Sequence, residues 1–530
     1  MKEREKKKVT EDFALLETGR AYNRQIGLYD TVTRNERFYR GDQWHGIAAN
    51  GLPTPVFNLF KRVLNYFVST IMSQKVRIHY TAEGEEALFD PEKQRKADET
   101  SQLLSRYANY RLEKDKVDEL LGRGLLDAAL TGDLFAYVYW DPSKRTARGY
   151  RGDYVTTLVD GTRVFFGDVN TPDVEAQPYI LISGRDLVER LRAEARENGA
   201  DRENVEKIRP DTDVFEEAGD YGKRELAGTK AGYVIKLYKK NGAVHYRKSC
   251  RGAVICPERN TGLSRYPVAH MTWEPVKNSY HGHAAATGLV DNQLYINKAF
   301  AMVMKHMLDV SFSKVVYNAN VIDEWTNEIG EAVAVNGPVE NVALQLTPGT
   351  MQDGFLDVIN MTVKLTKELM GATDAALGNV RPDNTSAIIA LQQSSAIPLE
   401  IQKNALYDFT EQLGMIWLDF ILHYYDASRI MLFREDGALA GGCVDPGEAE
   451  RFLFSCVAEV GASSHWSEMA QVATLDNLLS SGKIRFSQYL ERLPDGYIGK
   501  KEELLEEAKK EETADAVSSA DSLQPSAVSR

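Results

Sequence analysis

The sequence is poor in several features that mark familiar classes of protein. It has four cysteines in 530 residues, Cys250, Cys256, Cys443 and Cys456. Their spacing is too wide for the paired cysteines of a structural zinc site, so we interpret them as unpaired thiols in a reducing compartment. No apolar run approaches the roughly 18 residues that a membrane-spanning helix needs. We therefore expect no membrane segment.

An excess of positive charge is also lacking. The chain has 64 Lys and Arg against 77 Asp and Glu, a formal net charge of −13. Sequence-specific DNA-binding domains are usually basic, because cations neutralise phosphates. The balance argues against tight wrapping of nucleic acid and leaves loose contact with DNA open. The first residues, MKEREKKKVTED, are charged with no apolar segment after them, so we expect no secretory signal.

Common catalytic motifs are missing. The sequence has no Gly-x4-Gly-Lys-[Ser/Thr] phosphate loop, no Gly-x-Ser-x-Gly, no His-Glu-x-x-His and no Gly-x-Gly-x-x-Gly after a strand. The best metal-like pair is His281 and His283, whose side chains could share one side of an extended segment. With no third ligand nearby in the sequence, we favour a polar junction before the next helix. We predict no catalytic residue, no metal and no cofactor.

Two acidic groups keep an enzymatic interpretation open. Asp211-x-Asp213 could supply carboxylates to a metal-dependent nuclease. A second acidic group, within 311–350, has one Lys against five acidic residues and includes Asp323, Glu324, Glu328 and Glu331. A solvated acidic face is the simpler interpretation of this stretch, and a docking surface for another protein is the more specific one.

Hydrophobic periodicity predicts helices and one strand before residue 142. Apolar residues recur every three or four positions and predict one helix, beginning near Asn58, with an apolar face formed by Phe57, Phe60, Val63, Leu64, Phe67, Val68 and Ile71. Further helices are predicted over 92–114 and 116–130. Thr131-Gly132-Asp133 ends the latter, and LFAYVYW then predicts a strand.

Strands dominate the prediction for 150–280. TRVFFGDV, PYILIS and YVIKLYKK have strand composition, and Asn241-Gly242 favours a tight hairpin after the last of them. GRDLVERLRAEARENG predicts a short helix that stops near Gly199. The charged stretch 202–228 predicts a loop.

A helix, a small β insert and a second helix follow. The apolar stretch 288–310 predicts the first helix, SKVVYNANVIDEW and EAVAVNG predict strands, and 352–369 predicts a helix closed by Gly371. The insert therefore lies at the tip of a long helical hairpin.

The rest of the chain begins with GATDAALGNVRPDNTSA, whose Gly, Pro, Asn and Asp residues predict a flexible loop. A helical pattern over 386–425 contains Pro398, so a kink is expected near 394–398. RIMLF and RFLFSCVAEV predict strands, 467–510 predicts helices, and the small polar tail is expected to be disordered.

Six motifs in this order resemble the portal proteins of tailed bacteriophages, over roughly 25–430. They are FYRGDQW (38–44), the PVFN that opens a helix (55–58), LTGDLFAYVYWD (130–141), PVAHMTWEPVKNSYHGHAAATGLVDNQLYINKAF (267–300), GATDAALG (371–378) and NTSAIIALQQ (384–393). KVRIHY (75–80) departs from the pattern, because many relatives place a proline before the arginine. Beyond 430 only the order of elements is similar.

The resemblance implies an α+β, portal-like fold with a mixed wing domain, a two-helix stem, a small α/β clip, a long kinked helix and an α-helical crown. Carried onto this sequence, the parts are an N-terminal arm (1–24), wing (25–284), first stem helix (285–310), clip (311–350), second stem helix (351–371), tunnel loop (372–386), kinked helix with wing return (387–464), crown (465–510) and disordered tail (511–530).

The family also implies function and partners. Portals are rings, typically dodecamers, at one capsid vertex of the virion, assembled in the host cytoplasm around a channel for double-stranded DNA. The implied partners are other copies of the chain, the terminase large subunit, a head–tail connector or adaptor protein, and the major capsid and scaffold proteins. DNA would be contacted without sequence specificity, and no membrane is involved.

Transferring the functional regions of the family onto this sequence also identifies candidate functional residues. The DNA-facing tunnel loop would include Gly378, Asn379, Val380, Arg381, Asp383 and Asn384. Lys298, Lys305, Lys364 and Lys367 lie on the stem helices, where each is either a DNA contact or, more commonly, a solvated surface lysine. The clip docking surface would be formed by Asp323, Glu324, Trp325, Glu328 and Glu331.

The aromatic FYRGDQW segment is assigned a structural role. Phe38, Tyr39 and Trp44 are predicted to pack the wing where the chain enters it, and contact with a neighbouring subunit is the alternative. The competing function, a multidomain metal-dependent nuclease, would use Asp211, Asp213 and the acidic group of 323–331.

Overall fold

A computed structural model describes residues 3–73, 75–83, 90–145, 149–211, 229–311, 314–322, 334–336, 338, 340, 342–346, 354–369, 371, 397–435, 438–460, 465–493, 501, 504–505 and 507–510. Helices and antiparallel sheets are mixed along the chain, which confirms the α+β class. The chain divides into two compact units, Met1–Met72 with Ile78–Ala458, and Ser73–Arg77 with Glu459–Arg530.

Helices occur along the whole chain. They are α1 (Glu3–Gln25), α2 (Leu28–Arg40), α3 (Leu59–Ile71), α4 (Pro91–Lys114), α5 (Val117–Thr131), α6 (Val188–Glu197), α7 (Arg202–Glu206), α8 (Ala285–Ser311), α9 (Gly354–Leu369), α10 (Glu400–Tyr424), α11 (Pro446–Ala449), α12 (His465–Ser480) and α13 (Phe486–Arg492). None of the helices in the described residues is long and apolar enough to cross a membrane.

Strands alternate with these helices. They are β1 (Val76–Glu83), β2 (Asp133–Arg145), β3 (Arg151–Val159), β4 (Val164–Phe166), β5 (Ile180–Leu187), β6 (Lys230–Lys240), β7 (Ala243–Cys250), β8 (Ala253–Asn260), β9 (Val268–Thr272), β10 (Lys314–Tyr317), β11 (Ala343–Leu346), β12 (Met431–Glu435), β13 (Ala438–Gly442) and β14 (Leu453–Val460).

The larger unit contains two sheets of more than two strands. One has the order β4-β5-β6-β7-β8 and the other β3-β2-β9, with two-stranded pairs β1–β14, β10–β11 and β12–β13 elsewhere. The predicted hairpin joins β6 to β7, where Lys240 pairs with Ala243. Asn241 and Gly242 have φ angles of 53° and 79°. Both central residues are left-handed, as a tight hairpin turn of this kind requires.

The main core lies between the β3-β2-β9 sheet and helices α3, α4, α5 and α10. The α3 helix shows how the sequence builds it. The Asn58 side chain accepts a hydrogen bond from the Lys61 backbone N–H at 2.9 Å and so caps the helix. The predicted apolar face is buried at Phe60, Val63, Leu64, Phe67 and Ile71. Full burial of one such side chain contributes about 1.5–3 kcal/mol.

Three predictions of local structure need correction. The helix predicted over 184–199 begins only at Val188, because β5 continues through Leu187, which pairs with Lys230. The partner of β10 is β11, and the described residues of EAVAVNG, 334–336, are not in a strand. The helix predicted over 386–425 is not continuous, because Pro398 lies in the 3-10 turn Ile397–Leu399 and α10 begins after it, where the missing N–H costs no helical hydrogen bond. The kink predicted near 394–398 stays a prediction, because 394–396 lie outside the described residues.

The smaller unit contains α12 and α13, which pack against each other. Leu475 and Leu490 are buried, and the Tyr489 hydroxyl donates to the Asp476 carboxylate at 2.7 Å. The helices predicted for this region are confirmed over these two ranges.

Candidate functional site

The α8 helix has a buried half and an exposed half. Its N-terminal half contributes Ala286, Leu289, Val290, Gln293, Ile296 and Asn297 to the interior. The C-terminal half packs mainly against α9, in a small cluster of Ala299, Val303 and Ile359. The exposed half, together with α9 and the β10–β11 pair that follows α8, is called the stem surface below.

The stem surface carries large apolar side chains that the described residues leave exposed. They are Met302, Met304, Met307, Leu308 and Val310 on α8, Val316 on β10, Leu344 and Leu346 on β11, and Leu356, Val358, Met361, Leu365 and Leu369 on α9. Exposure reaches 61% at Met307, 62% at Met361 and 77% at Leu369. Single exposed apolar residues are ordinary, but a run along paired elements marks an interaction surface.

The β10–β11 pair continues this apolar character. Val316 pairs directly with Leu344, and Lys314 pairs with Leu346 two residues along each strand. Because side chains alternate between the faces of a strand, Val316, Leu344 and Leu346 share one face. All three are exposed, so among the described residues one face of the pair is both apolar and uncovered.

The stem lysines largely have partners on their own helix. Lys305 lies 2.6 Å from Asp309, and Lys364 lies 3.7 Å from Glu368. Both pairs have the i, i+4 spacing of helical ion pairs. Lys298 is exposed, and no described residue forms an ion pair with it. Lys367 lies near the end of α9. Their role as DNA contacts stays a prediction.

Two sets of predicted site residues lie outside the described residues. These are the tunnel-loop residues Gly378, Asn379, Val380, Arg381, Asp383 and Asn384, and the clip residues Asp323, Glu324, Trp325, Glu328 and Glu331.

The two histidines of the His281-Gly282-His283 sequence do not act as a pair. His281 is buried, and its Nδ1 lies 2.6 Å from Asp133 Oδ2. His283 is half exposed and lies 3.3 Å from Glu274. His283 also forms a backbone β-bridge with Glu274, so the two histidines have different acidic partners. Within the described residues, no three His, Cys, Asp or Glu are placed to hold a metal ion.

Asp133 lies at the centre of a buried hydrogen-bond network. The network joins the start of β2 to His281 and Gly282, in the segment that leads into α8. Asp133 Oδ1 accepts from the Gly282 N–H at 3.0 Å and lies 3.3 Å from His270 Nε2. Burial disfavours the carboxylate, but attraction to His281 and hydrogen bonds from both histidines outweigh it and lower the pKa of Asp133. The network therefore holds an ionised carboxylate inside the protein.

Gly132 allows two chain segments of this network, at Gly132 and at Gly282, to approach each other closely. Its φ is 101°, and an added Cβ would lie 2.3 Å from the Gly282 carbonyl oxygen. Only glycine fits both the left-handed backbone and this close approach. The Thr131-Gly132-Asp133 sequence thus ends α5 and brings Asp133 to His281.

A cavity of about 170 Å³ beside this network is lined by Glu36, Asp127, Asp133 and Asp160. Burial raises the pKa of Asp127 to about 6, and the Asp160 and Glu36 carboxylates add to the shift while Arg123 opposes it. Burial also raises the pKa of Glu36, with Arg40 opposing and Asp160 adding. Burial first, and repulsion from neighbouring carboxylates second, make Asp127 and Glu36 easier to protonate than isolated carboxylates.

The enzymatic interpretation gains no support from its described candidate. Asp211 lies 2.9 Å from Arg185 and accepts from the Gly232 N–H at 2.8 Å, so it ties a loop to β5 and β6. Asp213 lies outside the described residues.

The four cysteines are free thiols, as predicted, with Cys443 alone exposed.

The FYRGDQW segment packs inside the larger unit. Phe38 is 5% exposed and contacts Phe60, with 5.9 Å between ring centroids. The Tyr39 hydroxyl donates to Asn65 Oδ1 at 2.7 Å, and the Trp44 indole donates to the Pro55 carbonyl at 2.9 Å. These intrachain contacts agree with the predicted structural role.

Gln43 is the residue of this segment that sequence reasoning missed. It is 1% exposed and hydrogen-bonds to Asn297 on α8. A signal was present in the sequence, because Gln293 and Asn297 are polar residues four apart within an apolar helical stripe. Buried amides need partners, so such a pair indicates a second polar element packed against the helix.

Residues 192–442 match the model of a family described as Phage P22-like portal protein. The matched range includes the whole stem surface and α10. This match, over just under half of the chain, confirms the resemblance to the portal proteins of tailed bacteriophages. None of the curated proteins compared with the chain matches it.

Proposed function

We propose that copies of this chain assemble into a closed ring, a dodecamer by family precedent, at one vertex of a phage capsid. Double-stranded DNA passes through the axial channel of this ring during packaging and ejection. The stem surface supplies contacts between neighbouring copies. A ring built from one repeated contact needs no catalytic residue in its subunits.

The exposed apolar residues of the stem surface carry this proposal together with the family match. Each apolar square ångström removed from water contributes about 25 cal/mol, so covering this surface favours association. The natural occupant is the stem of a neighbouring copy, because a ring places identical stems side by side and each contact joins one face of a stem to a different face of the next. The acidic clip residues of 323–331 then stay available as a docking surface for the terminase large subunit and, later, for a connector protein.

The charge of the chain suits a conduit through which DNA slides. A strongly basic channel would bind phosphates by releasing counterions and would hold the DNA in place. The chain has a net charge of −13, and Lys305 and Lys364 already have acidic neighbours. We propose that DNA contact is weak and repeated, with Lys298 and Arg381 as the first candidate cations. Capsid and scaffold proteins would surround the wing.

Charge placed on the stem surface tests the assembly role. Met307→Glu and Met361→Glu change residues that are exposed in the single chain, so each variant should fold with a stability within about 0.5 kcal/mol of the parent. At a contact between copies, the new carboxylates would be buried without partners, and ring assembly should be lost. Analytical ultracentrifugation of the purified variants measures this.

Val276→Glu is the matched control for these variants. Val276 is 43% exposed and lies in the loop before His281, away from the stem surface. This variant should assemble like the parent chain. Normal rings from both methionine variants would contradict the assignment of the stem surface to subunit contacts.

A further inference from the structure

Three buried amide side chains connect α8 to the segment that contains FYRGDQW. Gln43, Gln293 and Asn297 are 1%, 2% and 0% exposed. They are called the amide relay below. Gln293 and Asn297 are one turn apart on α8, and Gln43 lies between α2 and α3.

Gln293 caps α3 from another helix. Its Oε1 accepts from the Phe60 N–H at 2.9 Å, and its Nε2 donates to the Phe57 carbonyl at 2.8 Å. The Phe60 N–H is among the first amides of α3, which have no partner inside their own helix. Asn58 caps the neighbouring amide of Lys61, so α8 completes a cap that the α3 sequence supplies only in part.

Asn297 and Gln43 extend the relay to the FYRGDQW turn. Gln293 Nε2 also donates to Asn297 Oδ1 at 2.9 Å, and Asn297 Nδ2 donates to Gln43 Oε1 at 2.6 Å. Gln43 Nε2 then donates to the Phe38 carbonyl at 3.0 Å. Every amide in the relay has at least one donor and one acceptor in use, which fixes the orientation of all three.

We propose that the amide relay is a register lock, which fixes the position of α8 along its own axis relative to α3 and the FYRGDQW turn. Gln43, Gln293 and Asn297 are positioning residues in this proposal. An apolar interface alone would specify the position less sharply, because Leu, Val and Ala side chains can repack after a helix shifts.

The sequence of α8 makes the lock selective. A slip of one helical turn, about 5.4 Å, in one direction would bring Leu289 to the place of Gln293, where it cannot bond to the Phe60 N–H. The opposite slip would bring Ala301 to the place of Asn297, where it cannot bond to Gln43, and would bring the shorter Asn297 to the place of Gln293. Either slip removes the partner of at least one buried polar group, and an unsatisfied buried group is costly. One register is therefore favoured over its neighbours.

A second polar contact acts at the first turn of α8. Asn35 on α2 donates to the Leu130 carbonyl at 2.9 Å and to the Thr287 hydroxyl at 3.0 Å. This bond ties the end of α5 to the start of α8. The relay and Asn35 thus anchor α8 at two levels, while the helix beyond Asn297 has mainly apolar contacts.

The functional meaning of the lock rests on the proposed ring. The position of α8 along its axis sets how far the stem surface projects from the larger unit, and identical projection lets every copy make the same contact with its neighbour. The lock itself is a property of one chain, so it is testable whether or not rings form.

Distances within one chain test the lock. Ser69 on α3 and Ser311 at the end of α8 are exposed, so both are changed to cysteine and spin-labelled in a Cys443→Ser background. Labelled chains are diluted with unlabelled ones, so that only distances within a chain are measured by double electron–electron resonance. The parent should give one narrow distribution.

Gln293→Leu with Asn297→Leu removes the amides while keeping apolar volume. The distribution should broaden or gain a second population displaced by about 5 Å, one helical turn. Asn292→Leu is the matched control, because it makes the same change on a half-buried neighbour outside the relay. Its distribution should equal that of the parent.

An unchanged distribution in the double variant would overturn the proposal. If the double variant does not fold, Gln43→Met decides, because it removes one loop residue of the relay and leaves α8 intact. A distribution broader than the parent's supports the lock, and an identical one contradicts it. The register lock and the proposed ring are tested separately. Loss of rings after Met307→Glu concerns only the ring, and the distance distribution of the parent chain concerns only the lock.

Discussion

Asp133 is the residue on which the buried network before α8 depends. Its carboxylate lies between His270 and His281, and all three side chains are at most 5% exposed. Replacing Asp133 with Asn keeps the shape but removes the charge that both histidines face. A hydrogen bond to a charged group typically contributes about 1.5–3 kcal/mol, and we expect a loss of this order in urea unfolding at pH 7.

The pH dependence of this variant follows from the lowered pKa of Asp133. A carboxyl group whose pKa is depressed by folding stabilises the protein above the pKa of the unfolded chain, about 3.9, and loses that contribution as the pH falls through the folded value. The deficit of Asp133→Asn should therefore shrink at low pH. If the loss of unfolding free energy in Asp133→Asn did not depend on pH, the loss would come from a change in shape and not from the missing charge.

Asp127 should behave in the opposite way. Its pKa is raised to about 6, so its folded form binds a proton more readily than the unfolded chain does. The stability that this protonation supplies is lost as the pH rises through about 6. Asp127→Asn should therefore raise the melting temperature at pH 8, with a smaller gain at pH 5.

The size of this effect is limited by solvent. Asp127 stays more than a third exposed at the cavity, so water screens its repulsion and the gain should be below about 1 kcal/mol. Glu113→Gln, at an exposed site on α4, is the control and should show no such difference between pH 5 and pH 8. Equal gains in the two variants would contradict the role of the cavity.

At the scale of elements, α1 is a charged helix held by a buried ion pair. Asp12 is 1% exposed, accepts from Arg247 Nε at 2.8 Å and lies 3.3 Å from Lys236. Leu16 packs beside it against the β4-β5-β6-β7-β8 sheet. Arg247 and Lys236 both lie on this sheet, so their ion pairs with Asp12 attach α1 to the sheet.

Removing Asp12 should release α1 from the sheet. Asp12→Ala would leave Arg247 and Lys236 without their buried counter-charge, a costly arrangement. We expect trypsin to cleave within α1 several-fold faster than in the parent. Lys8→Ala removes only the half-exposed pair with Glu258 and serves as the control. Unchanged cleavage after Asp12→Ala would show that apolar packing holds α1 by itself.

Elements specified by local signals were predictable from the sequence. Asn58 caps α3, Gly132 ends α5, and Asn241-Gly242 closes the β6–β7 hairpin, because each signal acts within a few residues. The start of α6 was predicted too early, since pairing of β5 with β6 overrides the helical preference of 184–187. The described residues of EAVAVNG, 334–336, are not in a strand, and β10 pairs with β11 instead, since strand pairing is decided by residues distant in sequence.

The candidate site was predictable only in part. The helix, β insert, helix order located α8, β10 and α9, because periodicity reports which residues favour each element, but it did not locate β11. It does not report which face is covered, so the exposed residues of the stem surface were not identified. The amide relay depends on contacts more than 230 residues apart, such as Phe60 with Gln293. The spacing of Gln293 and Asn297 indicates that a polar partner exists, but no local pattern identifies that partner.

At the scale of the whole molecule, the chain combines a well-packed larger unit with an apolar surface that it leaves uncovered. The core around α10 and the β3-β2-β9 sheet gives it a stable body. Burial of the apolar stem surface would favour association between copies of the chain. With a net charge of −13, association must come from apolar burial and specific contacts strong enough to exceed repulsion between like-charged copies.

The central claim is that copies of this chain close into a ring. Native mass spectrometry of the purified chain, with negative-stain electron microscopy of the same sample, tests it most directly. The account predicts one closed assembly of about a dozen copies with a central hole, by the rule that one repeated contact generates a ring when its rotation closes. A chain that stays monomeric at micromolar concentration, with and without scaffold protein, would contradict it.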